Sequence, residues 1–350
     1  MDRREFFDPQ ELARAAGHML GALDEAPVPA RVDAPDIRLL RFGRRAMAAT
    51  FEVILSYAVA EAMSLAEAGL DEIGRLEEQL TVFHDHSEVS RLNREAAHRP
   101  VVVEDRLFAL FQRAAKLNSE TEGAFDITTG ALTTKAWGFY RRQGRVPTPE
   151  ELAEARQRVG MQHVLLDSER RSVRYARPGL EINLGSIGKG YALDRAAALL
   201  RDHFGLNHAL LHGGQSSVLA VGSEPGSNTG WHVGIRHPLQ RDQRLAVVRV
   251  RDRGLATSGA IFQNLEYNGR KLGHILDPRT GWPVEGIASA TAIAPTAAEA
   301  DALSTAFFIL GVERAREYCA GHPGTAAVLL PAGADARPVV IGLTRDEIEV

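Results

Sequence analysis

Residues 271–311, KLGHILDPRTGWPVEGIASATAIAPTAAEADALSTAFFILG, constrain the fold more than any other stretch. They read as strand, tight turn, strand and capped helix, and they bring His274, Asp277, Asp301 and Thr305 into one short piece of chain. Asp277-Pro278-Arg279-Thr280-Gly281 is turn chemistry: an Asx acceptor, a proline with its φ already set and a closing glycine. The plain reading is a hairpin. His274, just ahead of it, can be an acid/base group, a phosphate contact or a packed strand histidine. Pro295 and Thr296 start the helix, and Thr296 to Glu299 has the spacing of a capping box. Asp301 and Thr305 are four apart, so a helix points them from one face. Both offer hard oxygens, which suit magnesium. The alternative is an aspartate favoured by the helix dipole and nothing more.

The rest of the chain narrows the classes. At 350 residues it has room for one large domain or two intimate lobes. A net charge of -4 gives no sign of general nucleic-acid binding. One cysteine, Cys319, excludes an internal disulfide and a cysteine-built zinc site; its helical surroundings, VERAREYCAG, suit a small core residue. No apolar run approaches membrane-spanning length.

Arg3-Arg4 near the start echoes a twin-arginine export signal, but charges and a proline follow where such a signal needs an apolar core. The reading is a degenerate signal or an amphipathic helix over residues 9–24, then a proline-containing linker over residues 25–38. The expected organisation is therefore an extension, residues 1–38, and one folded domain, residues 39–350, working in the cytoplasm. Export to the periplasm is the alternative.

Within the domain, residues 50–55 alternate like a strand, and residues 59–80 carry Leu65, Ile73, Leu76 and Leu80 near one helical stripe. Helices are expected to open at Ser87, to cover residues 104–123, to carry Trp137 and Phe139, and to open at Pro149. Strands are expected at HVLLD, SVRYA and LEINL. A β-rich second half ends in a strand pair. The order is mixed, not regular βαβ, so the fold class is α+β: largely antiparallel sheets flanked by helices.

Gly185-Ser186-Ile187-Gly188-Lys189-Gly190 joins a strand to a helix and can aim backbone N–H groups at an anion, with Lys189 adding charge. It is not a Walker A loop, and it lacks the dinucleotide fingerprint. Taken alone, the loop is a weak signal, and a plain tight turn is the simpler reading. Gly213-Gly214 offers a similar close approach or a strand-end turn.

The ordered series is far more specific than its parts. Met47-x-x-Thr50, Ser87-Glu88-x-x-Arg91-Leu92-Asn93, Phe125-Asp126-Ile127-Thr128, Gly188-Lys189-Gly190-Tyr191-Ala192-x-Asp194, Gly213-Gly214, Thr257-Ser258-Gly259, HILDPRTG and Ala300-Asp301-Ala302-x-x-Thr305 together resemble the ApbE-type flavin transferases over residues 40–330. The resemblance implies a fold like the tunnelling fold. It implies an enzyme that splits the pyrophosphate of FAD with magnesium and joins FMN to a threonine or serine of an acceptor flavoprotein, releasing AMP. Members that only bind FAD or hydrolyse it, and non-catalytic flavin carriers, are the alternatives. By motif, Asp301 and Thr305 match magnesium ligands, with Ser186 as a third, and Asp301 and His274 match catalytic residues. Met47, Phe83, Ala124, Phe125, Asp126, Asn183, Lys189 and Leu276 match flavin contacts. Three departures stand out: an extra residue in Met47-Ala48-Ala49-Thr50, Gln215-Ser216-Ser217 after the paired glycines, and Ala260-Ile261-Phe262-Gln263 in place of an early aromatic.

Overall fold

The structure, a computed structural model, describes residues 38–139, 144–240, 242–259, 264–267, 269–333 and 335–350. The expectations for Arg3-Arg4, for residues 9–24, for nearly all of the linker and for Ala260-Ile261-Phe262-Gln263 fall outside these residues.

The described chain opens with a hairpin, β1 (Leu39–Ala46) and β2 (Ala49–Ser56). Then come α1 (Ala62–Leu80), α2 (Glu88–Glu95), β3 (Val101–Val102) and α3 (Asp105–Glu120). A π-helical turn (Ala131–Ala136) and α4 (Pro149–Arg156) lead to β4 (Val164–Asp167), β5 (Ser172–Tyr175) and α5 (Gly188–Phe204). The second half runs β6 (Ala209–Gly213), β7 (Ser217–Val221), β8 (Trp231–Arg236), β9 (Arg244–Val250) and β10 (Arg253–Gly259). It continues with β11 (Asn264–Tyr267), β12 (Arg270–Gly273), β13 (Ile287–Ala294) and α6 (Ala297–Gly321). It closes with β14 (Ala326–Pro331), β15 (Val339–Ile341) and β16 (Ile348–Glu349).

Eight strands form one sheet in the order β1-β2-β6-β7-β10-β13-β14-β15, every pairing antiparallel. Its strands are apolar at odd and even positions alike, because both faces are covered. Val53, Ala256, Ala292 and Leu329 face a core shared with α1, α5 and α6. Their neighbours Ile54, Leu255, Ile293 and Val328 face a second core under the three-stranded sheet β16-β9-β8. Small residues on the helical side let α6 lie close to β10 and β13. The α+β class and the antiparallel sheets are as expected from the sequence.

Several local expectations change. LEINL is not a strand; residue 181 makes only an isolated parallel bridge to Thr129. Residues 271–294 do not form one hairpin, because β12 pairs with β11 while β13 lies between β10 and β14. The helix expected to carry Trp137 and Phe139 is a short π-helix that stops before both. The helix after Thr296 extends well past Gly311, where the backbone breaks to φ 79 and turns the chain into a second helical run. Cys319 is a buried core residue, as expected; burial pushes its thiol up to about 11.

Candidate active site

The site begins with two glycines. A Cβ on Gly190 would lie 2.0 Å from the Ala297 carbonyl oxygen, and one on Gly254 would lie 2.4 Å from the Ala297 Cα. Only glycine at these positions lets the first turns of α5 and α6 and strand β10 meet backbone to backbone. Two helix N-termini side by side bring like ends of two dipoles together, which is unfavourable by itself. Each helix answers with a carboxylate for the other. Asp194 of α5 accepts from the backbone N–H groups of Ala297 and Ala298, at 2.8 and 2.9 Å. Asp301 of α6 accepts from the backbone N–H of Gly190 at 2.7 Å. Thr296 caps α6 by accepting from Glu299 N at 3.2 Å, but the expected reciprocal half is not made: the Glu299 side chain turns to Arg113 instead.

Asp301 is 6% exposed, and its other carboxylate oxygen accepts from Ser217 Oγ at 2.5 Å. Burial raises the Asp301 pKa, opposed by the charge of Lys189 and by the bonds from Ser217 and Gly190. Burial likewise pushes Asp194 up to about 7, against its two backbone donors, and the neighbouring Asp301 charge adds to the rise. One turn on, Thr305 Oγ1 lies 3.2 Å from Ser258 Oγ, which is 2.9 Å from Ser304 Oγ. The cluster is thus a desolvated carboxylate held by the Ser217 hydroxyl, with the Ser258, Ser304 and Thr305 hydroxyls one turn on and the charge of Lys189 acting on it. Its donors are all hard oxygens and its carboxylate is under-compensated, which fits a hard divalent cation such as magnesium. Ser186 is half-buried in the loop that enters α5.

A second strip of chain leads into that loop. Asn183 N donates to the Ile127 carbonyl at 2.7 Å and Gly130 N to the Glu181 carbonyl at 3.1 Å, so residues 127–130 run beside residues 181–183. Asn93 clamps the strip: its Nδ2 donates to the Ile182 carbonyl and its Oδ1 accepts from Ile182 N, at 2.9 and 2.8 Å. Asn183 then shapes the glycine loop by accepting from Gly185 N at 2.9 Å. Ala124 and Phe125 have buried side chains. Asp126 is buried too, and its carboxylate accepts from Thr128 N and Oγ1, Met161 N and Asn118 Nδ2. Asp126 also borders a cleft of about 440 Å³ that it shares with Pro278 and Arg279.

The 277–281 turn forms as its residues dictate. The Asp277 carbonyl accepts from Thr280 N and Gly281 N, and its carboxylate from Arg279 N, at 3.2, 2.7 and 2.9 Å. Trp137 Nε1 donates to the Gly281 carbonyl at 2.9 Å and ties the turn to the small core that holds Leu276. His274 is half-buried between Leu272 and Ile275, both buried. Met47 and Phe83 flank the far end of α1: Met47 N donates to Glu77 Oε1 at 2.6 Å, and Phe83, 68% exposed, lies on the loop after the helix.

Of the residues singled out in the sequence, Lys189, Asp301 and Thr305 meet, and Asn183, which leads into the same loop, is tied by its backbone N–H to Ile127, next along the chain from residues 124–126. Sequence reasoning missed Ser217, Ser258 and Asp194 as members of the cluster. Each lay inside a quoted segment, but only the pairing of β7 with β10 and the crossing of α5 with α6 put Ser217 on Asp301, Ser258 on Ser304 and Thr305, and Asp194 on the first turn of α6.

Fold and site together define a class of protein: an antiparallel α+β protein in which two helix N-termini meet at a buried carboxylate held by a serine hydroxyl and a backbone N–H, with a lysine beside it. The chain belongs to the ApbE family, whose model matches residues 47–330. It is 30% identical over 315 residues to the FAD:protein FMN transferase of Escherichia coli K12, covering 87% of each chain. It is 33% identical over 247 residues to the FAD:protein FMN transferase of Haemophilus influenzae, covering 68% of this chain and 70% of that one. Among solved structures it resembles the ApbE protein of Thermotoga maritima, with a TM-score of 0.78 and 29% identity over 87% of this chain and 97% of that one. It also resembles the flavinyl transferase ApbE of Pseudomonas stutzeri, with a TM-score of 0.76 and 27% identity over 89% and 96%.

Proposed function

We propose that this chain is a magnesium-dependent FAD:protein FMN transferase. It cleaves the FAD pyrophosphate, joins FMN through a phosphoester bond to a threonine or serine hydroxyl of an acceptor protein, and releases AMP. The observation that carries the reading is Asp301, a buried carboxylate held by Ser217 and the α5 N-terminus with Lys189 beside it. The names of the curated relatives support it.

Asp301 and Thr305, with Ser186, would hold the magnesium ion. When bound, the ion neutralises charge on the phosphoryl oxygens. Lys189 and the glycine loop hold the pyrophosphate, and their fixed positions leave little reorganisation for the reaction itself. Met47, Phe83, Leu276, Asn183 and residues 124–126 hold the flavin. The proton of the acceptor hydroxyl goes to His274, and the electron pair of the broken P–O bond leaves with AMP.

The test is incubation with FAD, magnesium and a candidate acceptor, read by in-gel flavin fluorescence and by AMP release. Covalent flavin together with AMP is the expected result. AMP without protein-bound flavin would make the chain an FAD pyrophosphatase. Asp301→Ala should abolish magnesium-dependent turnover while the protein still folds, because water cannot replace a charged ligand. Turnover within about threefold of the parent would remove Asp301 from the metal site, since a lost ligand should cost more than about 1 kcal/mol.

Residues 39–350 are read as the transferase domain and residues 1–38 as an extension that is not cleaved. No helix among the described residues is long and apolar enough to cross a membrane. We place the protein in the cytoplasm, on the charged residues behind Arg3-Arg4. Mass spectrometry of native protein starting near residue 25 or 38 would overturn that placement.

A further inference from the structure

We propose that Glu78, His84 and His86 form a second metal site, selective for a zinc-class divalent ion and separate from the Asp301 cluster. His84 Nδ1 and His86 Nε2 each lie 3.1 Å from the same oxygen, Glu78 Oε2. The three donor atoms are all within 4.8 Å of one another. A tetrahedral zinc ion with bonds of about 2.1 Å sets its ligands roughly 3.4 Å apart, so the two edges to Glu78 already match and the third, between the imidazoles, is within 4.8 Å. The two rings are stacked, 5.4 Å between centroids and 22° between planes, so both can offer a nitrogen to one point from the same side.

The donors are held in place without any ion. Glu78 is in the last turns of α1, anchored by buried Leu76 and Leu80. The loop that follows is closed on itself, because Ser87 Oγ donates to the Thr81 carbonyl at 2.5 Å. Arg94 Nη1 donates to the Asp85 carbonyl at 2.7 Å and fixes the residue between the two histidines. Binding would place the ion where the two imidazole–carboxylate contacts now converge and needs little new order in the chain.

The chemistry of the donors decides the ion. Two imidazole nitrogens and one carboxylate oxygen suit zinc, copper or nickel, whereas magnesium takes oxygen donors and resists dehydration. The two sites share no ligand and answer to different metals. All three residues are exposed, so a fourth position stays open to water or an outside donor. The ion would cross-link the end of α1 to the loop that carries Phe83.

The test uses the full-length, tag-free protein and zinc alone, titrated in competition with a chromophoric chelator, with visible absorption of the cobalt form as a second readout. We expect one equivalent of zinc, intense tetrahedral-type cobalt bands, and a rise in melting temperature with zinc. Binding should weaken at least tenfold in His84→Ala and in His86→Ala and stay unchanged in Asp301→Ala. The two histidine substitutions are on the surface, and circular dichroism checks that each variant, Asp301→Ala included, folds. Failure of the parent protein to bind zinc would overturn the proposal. So would equal affinity in the His84→Ala/His86→Ala double variant, or loss of zinc binding in Asp301→Ala alone.

Discussion

At the scale of single residues, Asp301 and His274 occupy different surroundings and should fail differently. Asp301 is buried and already spends both oxygens on donors, so its role is to fix charge at one point. His274 is half-buried, and the chain that follows it is tied down by buried Ile275, by the Leu276–Pro283 bridge and by the 277–281 turn. A ring held this way can move a proton at a fixed atom. His274→Asn keeps a donor and similar bulk but cannot take up a proton. FAD affinity measured by flavin fluorescence should stay near that of the parent, while turnover at saturating FAD falls by roughly 10² or more. Weaker FAD binding with unchanged saturated turnover would make His274 a binding residue and pass the proton to another group.

At the scale of elements, two turns show opposite uses of backbone freedom. Met47 and Ala48, the two residues between β1 and β2, have φ of 49 and 58, the left-handed pair of a type I′ hairpin. Neither is glycine, so the hairpin carries local strain. Ala48→Gly should raise stability by about 0.5–1 kcal/mol, the relief of strain exceeding the entropy glycine adds to the unfolded chain. A urea midpoint that stays put or falls would refute the strain. At Gly190 the sense reverses, because the Cβ of any other residue would collide with the Ala297 backbone. Gly190→Ala should cost more than about 3 kcal/mol, as overpacking against rigid backbone does, and should also lower turnover by dislodging the Asp301 contact. Normal thermal stability in that variant would mean that α5 and α6 can separate without loss.

At the scale of the whole molecule, the exchange of carboxylates between α5 and α6 links stability to pH. Burial raises Asp194 to about 7 in the folded protein from an ordinary 3.8. Between those values the folded state holds a proton that the unfolded chain has released. Its contribution is therefore complete below about 3.8 and is lost as pH rises through about 7. The slope from one such group is at most about 1.4 kcal/mol per pH unit. Urea unfolding of Asp194→Asn across this window should lack that component, and the difference between parent and variant should flatten above pH 7. Parallel pH profiles for the two proteins would show that Asp194 is ionised throughout.

The sequence by itself determined the α+β class, the helices opened by Ser87, Pro149 and Thr296, the 277–281 turn, and the family to which the chain belongs. These depend on periodicity, capping and turn residues, which act over a few positions and are written locally. Tertiary structure decided the rest. Residues 180–184 have strand composition but lie as irregular chain against residues 127–130, because Asn93 and Ile127 take their backbone hydrogen bonds. Glu299 has capping-box spacing but goes to Arg113, since a charged partner from α3 outbids a local N–H. Ser217 reaches Asp301, Ser258 reaches Ser304 and Asp194 reaches Ala297 only because strands and helices far apart in sequence cross at one point. A short-range rule cannot place groups 84 residues apart in contact, and the Ser217–Asp301 bond spans that distance along the chain.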